Sequence, residues 1–467
     1  MLFNSFDFLL FFPIVCIIYY IIPINKYRNY FLLLTSYYFY MNWEPIYALL
    51  ILLSTLTTYG CGLLLDSNKN NRSRKIYLIS NLLLNFGILF LFKYYNFINE
   101  SIFNVLNHIG IGWNTPSFKW LLPVGISFYT FQAIGYSIDV YRKDIKAEHN
   151  FWTYALFVSF FPQLVAGPIE RSRNLLPQFK EKKEFNLETA AKGFRLMLWG
   201  YFMKLCVGDR LAIYVDSVYN NLEMHNGSSM LLATLFFTIQ IYCDFAGYSL
   251  IAIGCARIMG YKLMDNFRRP YFSQSIKEFW SRWHISLSTW FKDYLYIPLG
   301  GNRVGKTRHL INLFITFLVS GVWHGAAWNF IIWGALHGLY LVIENLLSSN
   351  KSSRNIFFRL LKQLYTFILV VFAWIFFRAN STNDAFYIIN NIFTNTGPIF
   401  RDLTVFSYGL ISLSILMTKE IIDEYYPKIK FLDSNNIIVR YTSQLLIIIF
   451  ILLFAVLNGG QFIYFQF

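Results

Sequence analysis

Eleven apolar runs, each close to the length of about twenty residues that a helix needs to cross a bilayer, alternate along this chain with shorter polar breaks. They lie at residues 6–23, 43–65, 76–98, 118–140, 187–207, 230–259, 310–328, 330–347, 361–377, 405–422 and 437–457. Several are interrupted or look re-entrant, so the pattern predicts an all-α polytopic membrane protein with roughly ten to twelve transmembrane helices. The first run is expected to stay as a span rather than act as a cleaved leader. No Lys or Arg precedes it, it is longer than a signal-peptide core, and no small-residue cleavage site follows. Lys26 and Arg28 flank only its far end, and the basic bias of cytoplasmic loops then puts the N-terminus outside the cytoplasm.

The chain shows no repeat with a period of about 20 to 50 residues, which argues against solenoids and against paired transporter halves. The expectation is one integral-membrane domain over residues 1–467, with its motif-rich core at 118–345 and a distinct tail at 462–467. Composition agrees: 56% of residues are hydrophobic, 20% aromatic and 14% charged, against about a quarter charged in soluble domains. The net charge of +15 is spread over loops between spans. It fits cytoplasmic loops facing anionic lipid heads, not nucleic-acid binding. Cys16, Cys61, Cys206, Cys243 and Cys255 sit in or beside apolar runs without Cys-x-x-Cys spacing, so they read as small hydrophobes and no metal site is expected.

The richest polar break is residues 257–308, where ten Lys/Arg face three acids, Asp265, Glu278 and Asp293. Within it, Trp280, Trp283, Leu287 and Trp290 recur at helical spacing, while Arg282, Lys292 and Asp293 interrupt the apolar face. The segment suits an interfacial or half-buried helix, broken at Gly300-Gly301.

Two Trp-His pairs, Trp283-His284 and Trp323-His324, stand out because an imidazole at membrane depth is costly to keep there. His324 is flanked by Ser320, Gly321, Gly325, Ala326 and Ala327, small residues that let helices approach or leave room for a narrow substrate. His337, thirteen residues on, reads as a packing histidine, and His108, His149, His225 and His309 as solvated or interfacial ones. Asp139, Asp244 and Glu170 lie in apolar surroundings. Each is either part of a pathway or paired internally with a nearby arginine such as Arg142, Arg171 or Arg257; pairing is the favoured reading. There is no GxxxxGK[ST] loop, no HExxH and no G-x-S-x-G elbow, which removes P-loop ATP use, zinc proteolysis and the serine-hydrolase elbow.

The stretches NFRRPYFSQSIKEFWSRWHISLSTWFKDYLYIPLGGNR and LVSGVWHGAAWNFIIWGALHG strongly resemble the membrane-bound O-acyltransferase family, in its bacterial branch typified by the alginate O-acetylation protein. NSFDFLLFFPIVCIIYY, QLVAGPIERS, IYCDFAGYS and the final FIYFQF resemble it too, so the likeness covers essentially the whole chain. It implies a ring of tilted helices and re-entrant segments around a central catalytic tunnel, a catalytic His324, and His284 as its partner. Trp283, Trp323, Asp244, Asp139, Glu170 and Arg171 are then candidates to line or support that tunnel. The implied chemistry is acyl transfer from a thioester to a hydroxyl: an imidazole takes the hydroxyl proton and its neighbour binds the carbonyl or its developing charge. Either histidine fits either role.

Acetyl-CoA is the implied donor, with no bound cofactor, and Arg268, Arg269, Arg303, Lys306 and Arg308 are candidates for its phosphates, with lipid headgroups as the competing ligand. The implied partners are an extracytoplasmic SGNH-type acetyltransferase and an exported polysaccharide, in an inner or plasma membrane. The tail also resembles the F-x-Y-x-x-F ending of the small partner in teichoic-acid D-alanylation, which implies Tyr464 as an acyl carrier; an interfacial aromatic anchor is the alternative. Leu250 stands where alginate-type members often carry an acid, which puts alginate itself in doubt as acceptor. A D-alanyl transferase, or a transporter using the histidines and Asp139 as a proton relay, are the competing functions.

Overall fold

A computed structural model describes residues 1–112, 116–118, 120–165, 167–347, 355–457 and 462–463. These residues form helices joined by turns, with no strand among them. Seven helices are long and apolar enough to cross a membrane: Pro45–Ser67, Asn71–His108, Gly227–Ile258, Trp328–Leu347, Ile356–Arg378, Val405–Tyr425 and Ile437–Phe454. The chain is thus a multi-pass, all-α membrane protein. Four other expected runs are also helical but shorter or more polar: Phe6–Ile21, Ile126–Arg142, Leu187–Tyr201 and Lys306–His324. One 17-residue helix, Asn25–Met41, was not expected, because Lys26, Arg28 and scattered Asn and Thr mask its apolar face.

The contacts divide the chain into two compact units, residues 1–190 with 256–263, and residues 191–255 with 264–467. In the first unit, the helix Ile126–Arg142 is almost wholly buried. Polar side chains tie its neighbours together: Asn81 Nδ2 donates to Ser137 Oγ at 3.1 Å, Ser54 to Asn85 at 2.7 Å, and Tyr154 to Thr58 at 2.7 Å. Hydrogen bonds of this kind hold helices where lipid offers no hydrophobic drive between them. In the same unit Glu170 accepts from the Arg171 amide and from Asn174, which braces the start of the helix Ser172–Lys180.

The second unit is built around the helix Gly227–Ile258, whose most apolar stretch is 78% buried in protein. Backbone approaches backbone at several glycine pairs, two of which bear on the site. A Cβ on Gly200 would lie 2.6 Å from the Gly247 carbonyl oxygen. One on Gly334 would lie 2.5 Å from the Phe317 oxygen and 2.8 Å from the Gly321 Cα. The second pair joins Lys306–His324 to Trp328–Leu347 and so sets the position of His324, the last residue of its helix.

Gly334→Ala should therefore destabilise the detergent-solubilised protein by about 1–3 kcal/mol, the cost typical of overpacking, and so lower its thermal midpoint. Gly60→Ala is the matched control: it lies mid-helix with open space around it. It should leave the midpoint unchanged or raise it, since alanine favours helix over glycine by roughly 0.5–1 kcal/mol. Equal behaviour of the two variants would refute the close approach.

Candidate active site

The segment expected as one aromatic helix is instead two seven-residue helices, Ile276–Arg282 and Ile285–Phe291, separated at Trp283-His284. Trp283 is extended and His284 is left-handed, with φ 44° and ψ 53°, a conformation that costs a side chain with a Cβ roughly 1–2 kcal/mol. The whole aromatic face is buried: Trp280, Trp283, Leu287 and Trp290 are all under 7% exposed. This corrects the single unbroken helix of the sequence reading, while its half-buried character holds, with Lys277, Ser281 and Lys292 exposed on the other side.

Asn266 holds the break. Its backbone oxygen accepts from the Ile285 amide at 2.9 Å, and its side-chain oxygen accepts from the Ser286 amide at 3.2 Å and the Ser286 hydroxyl at 2.8 Å. His284 Nδ1 lies 3.1 Å from the same oxygen. The Ser286 amide can only donate, so the facing atom of Asn266 is the oxygen, and Nδ1 must carry the hydrogen. His284 is outside the seven spans, and complete burial pulls its imidazole down to about 3. The ring is neutral near pH 7, with its basic lone pair on Nε2. Asn266 was not singled out from sequence, although it opens the quoted NFRRPYF stretch; a lone Asn in a polar loop carries no signal until its partners are known.

His324 is 2% exposed, and its ring centroid lies 6.5 Å from that of His284. Trp323 stands beside both, 6.2 Å from His284 and 4.9 Å from His324, while Trp333 and Phe377 close on His324 at 4.8 and 5.5 Å. Phe245 meets His284 edge-on at 4.6 Å. Trp283 backs this layer through Phe267 and Trp374, each about 5.1 Å away. The two histidines thus share one buried aromatic cluster inside the second unit. His337, also buried, accepts from Trp280 Nε1 at 3.3 Å, as a packing histidine would.

The remaining candidates separate. Asp244 belongs to the second unit, and its cation is not an arginine. It pairs with Lys204, which also bonds Asp209 at 2.7 Å. Lys204 sits on a π-type turn, residues Phe202–Gly208, that follows the Gly200–Gly247 approach. Asp139, Glu170 and Arg171 belong to the first unit, where Asp139 accepts from Ser172 at 3.3 Å. Arg269, at φ 45°, bonds Glu424 at 2.7 Å, and Arg282 joins the same carboxylate at 2.9 Å, so Arg269 braces the loop before Pro270. Arg268 is exposed beside Asp265. Arg303, Lys306 and Arg308 are exposed around the start of the helix Lys306–His324. Helical rise puts Lys306 about 27 Å along the axis from His324. Tyr464 lies outside the described residues, but Phe462 and Ile463 before it are buried.

A model of the membrane-bound O-acyltransferase family matches residues 143–388. A Pseudomonas aeruginosa protein named "Probable alginate O-acetylase AlgI" is 41% identical over 84% of this chain and 75% of its own length. An Azotobacter vinelandii protein of the same name is 38% identical over 91% of this chain and 85% of its own length. A Helicobacter pylori "Peptidoglycan O-acetyltransferase" is 34% identical over 77% of this chain and 73% of its own length.

Asn266→Ala strands the buried Ser286 donors, at a cost of about 1–3 kcal/mol for each unsatisfied group. The expected result is a lower unfolding midpoint in detergent, with Asn266→Asp, which keeps an acceptor oxygen, much closer to wild type. If the alanine and aspartate variants unfold alike, Asn266 does not hold the break.

Proposed function

The chain belongs to the membrane-bound O-acyltransferase family, and from that membership we propose that it takes acetyl from cytoplasmic acetyl-CoA for O-acetylation of an exported polysaccharide. The observation that carries this reading is the pair of buried imidazoles, 6.5 Å apart, in one aromatic cluster with Trp323, Trp333, Phe245 and Phe377. The names of the relatives support acetyl as the group and a polymer as its destination.

In this proposal His324 takes the proton of the acceptor hydroxyl as its oxygen bonds to the thioester carbonyl carbon. The carbon–sulfur bond then breaks, and the thiolate leaves as the free thiol once it receives a proton. His284, with Nδ1 donated to Asn266, works through Nε2 and serves as the second station for that proton. Trp323, beside both rings, confines the acyl group. Arg303, Lys306 and Arg308 supply charge-assisted donors for CoA phosphates. Their distance from His324 along the helix suits a donor whose phosphates and thioester are far apart. Lys26 and Arg28, after the first helix, support an extracytoplasmic N-terminus in the inner or plasma membrane. The acceptor side would meet an SGNH-type acetyltransferase there.

The first acceptor is proposed to be Tyr464. Its phenol ionises far more readily than an alkyl alcohol, so its ester is an activated carrier for a second transfer. The anchoring of its sequence neighbour Ile463 to Asp244 supports this reading.

Purified protein given radiolabelled acetyl-CoA should release CoA and retain label on the chain. His324→Ala and His284→Ala should each abolish both; Asn266→Ala should lower kcat about tenfold or more with KM for acetyl-CoA little changed, since it acts on the transition state and not on donor binding. Tyr464→Phe should lose the bound label while still binding acetyl-CoA. Undiminished turnover in His324→Ala would defeat the reaction, and full polymer acetylation by Tyr464→Phe would defeat the carrier.

A further inference from the structure

The Lys204–Asp209–Asp244 cluster is buried, with all three side chains under 5% exposed. Lys204 bonds both carboxylates, and its ammonium also lies 5.4 Å from the centre of the Tyr248 ring. One cation against two carboxylates leaves acceptor capacity over, and an unused acceptor in such a place is costly. Asp209 Oδ2 has no hydrogen-bond partner among the described residues. Asp244 Oδ2 does have one: the backbone amide of Ile463 donates to it at 2.8 Å, across 219 residues of sequence.

That amide belongs to the C-terminal segment, which is held at two further points. The Val456 amide donates to the Leu205 carbonyl at 3.1 Å, beside Lys204 on the same π-type turn. The Phe462 ring, fully buried, packs 4.7 Å from Tyr248 and 5.4 Å from Phe245. Phe245 in turn is the ring set edge-on against His284 at 4.6 Å. A continuous path of contacts therefore runs from the ion cluster through the tail to the imidazole.

We propose that the Lys204–Asp209–Asp244 cluster is a docking site for the chain's own C-terminal segment, and that the docked segment positions His284 through Phe462 and Phe245. Asp244 is the recognition element, using one carboxylate oxygen for Lys204 and the other for a peptide N–H. The ligand is the Ile463 backbone amide with the Phe462 ring just before it as an aromatic anchor, read without regard to any charge on the tail. Docking stands apart from the acyl-transfer reading, whereas the effect on His284 rests on it.

Two substitutions break the dock from opposite sides. Asp244→Asn turns an amide donor towards the Ile463 N–H while leaving the Lys204–Asp209 pair in place; Ile463→Pro removes the N–H itself and touches nothing else in the cluster. Hydrogen–deuterium exchange of the C-terminal peptide, read by mass spectrometry on the full chain in detergent, should accelerate roughly tenfold or more in each, as loss of a hydrogen bond to a charged group implies. The double variant should be no faster than either single, since both remove one contact. Acetyl transfer should fall in kcat with KM for acetyl-CoA held. Unchanged exchange in Ile463→Pro overturns the dock even if Asp244→Asn misfolds. Faster exchange with undiminished kcat overturns the coupling to His284. Loss of exchange protection in a chain with no acetyl transfer at all would uphold the dock and count against the proposed function instead.

Discussion

One amide side chain carries the geometry on which the site depends. His284 occupies a left-handed backbone position that its side chain disfavours, between two helices each too short to stand alone. What offsets that strain is convergence: the Ile285 amide on the backbone oxygen of Asn266, and the Ser286 amide, the Ser286 hydroxyl and the imidazole N–H on its side-chain oxygen. The three donors on the side-chain oxygen are buried and would be expensive to leave unmet. The same contacts that hold the turn also select the tautomer, so the backbone conformation and the nitrogen available for chemistry are settled by one residue. Asn266 is itself fixed from the other side by its amide on Ser249, from the long helix Gly227–Ile258.

The second constraint is the cost of charge away from water. In the second unit it is met by matching, and close glycine contacts make the matching possible. Gly200 and Gly247 let two backbones touch, which brings the π-type turn carrying Lys204 against Asp244. A wider separation would leave a lysine and two aspartates in a nonpolar interior without partners. Glu424 plays a comparable part nearer the surface, accepting from Arg269, before Pro270, and from Arg282, at the end of the first short helix. Irregular backbone near membrane depth persists where other protein groups satisfy it, and here the satisfying groups are identifiable one by one.

Local signals were legible in the sequence and long-range ones were not. The apolar runs gave the helical, multi-pass character because span length and hydropathy are properties of adjacent residues. The two Trp-His pairs marked the site because imidazole is rare in such surroundings. The break at Trp283-His284 was hidden, since Trp280, Trp283, Leu287 and Trp290 keep an unbroken helical period while the force that interrupts it comes from Asn266, 18 residues upstream. The partner of Asp244 was sought among arginines near in sequence and proved to be Lys204, 40 residues away on a turn that periodicity does not reveal. Arg269 looked like an open cation until Glu424, 155 residues on, came beside it. The helix Asn25–Met41 went unseen for a different reason: its polar residues are inward, with Arg28, Asn29, Thr35 and Ser36 buried.

A site packed with tryptophan and phenylalanine limits which reactions it can host. A step that separates charge there must support it without water, and isolated ions in such surroundings are strongly disfavoured. Transfer of acyl from a thioester to a hydroxyl starts and ends with neutral species, so charge need appear only in passing. Neutral imidazoles are suited to that passage, because one takes a proton as another group gives one up. The Nδ1–H of His284, already directed at Asn266, leaves Nε2 as the ring's acceptor without rotation or a change of tautomer. An aromatic wall of this kind obstructs an ionic mechanism, and under the proposed function it favours one in which a proton is relayed between the two rings.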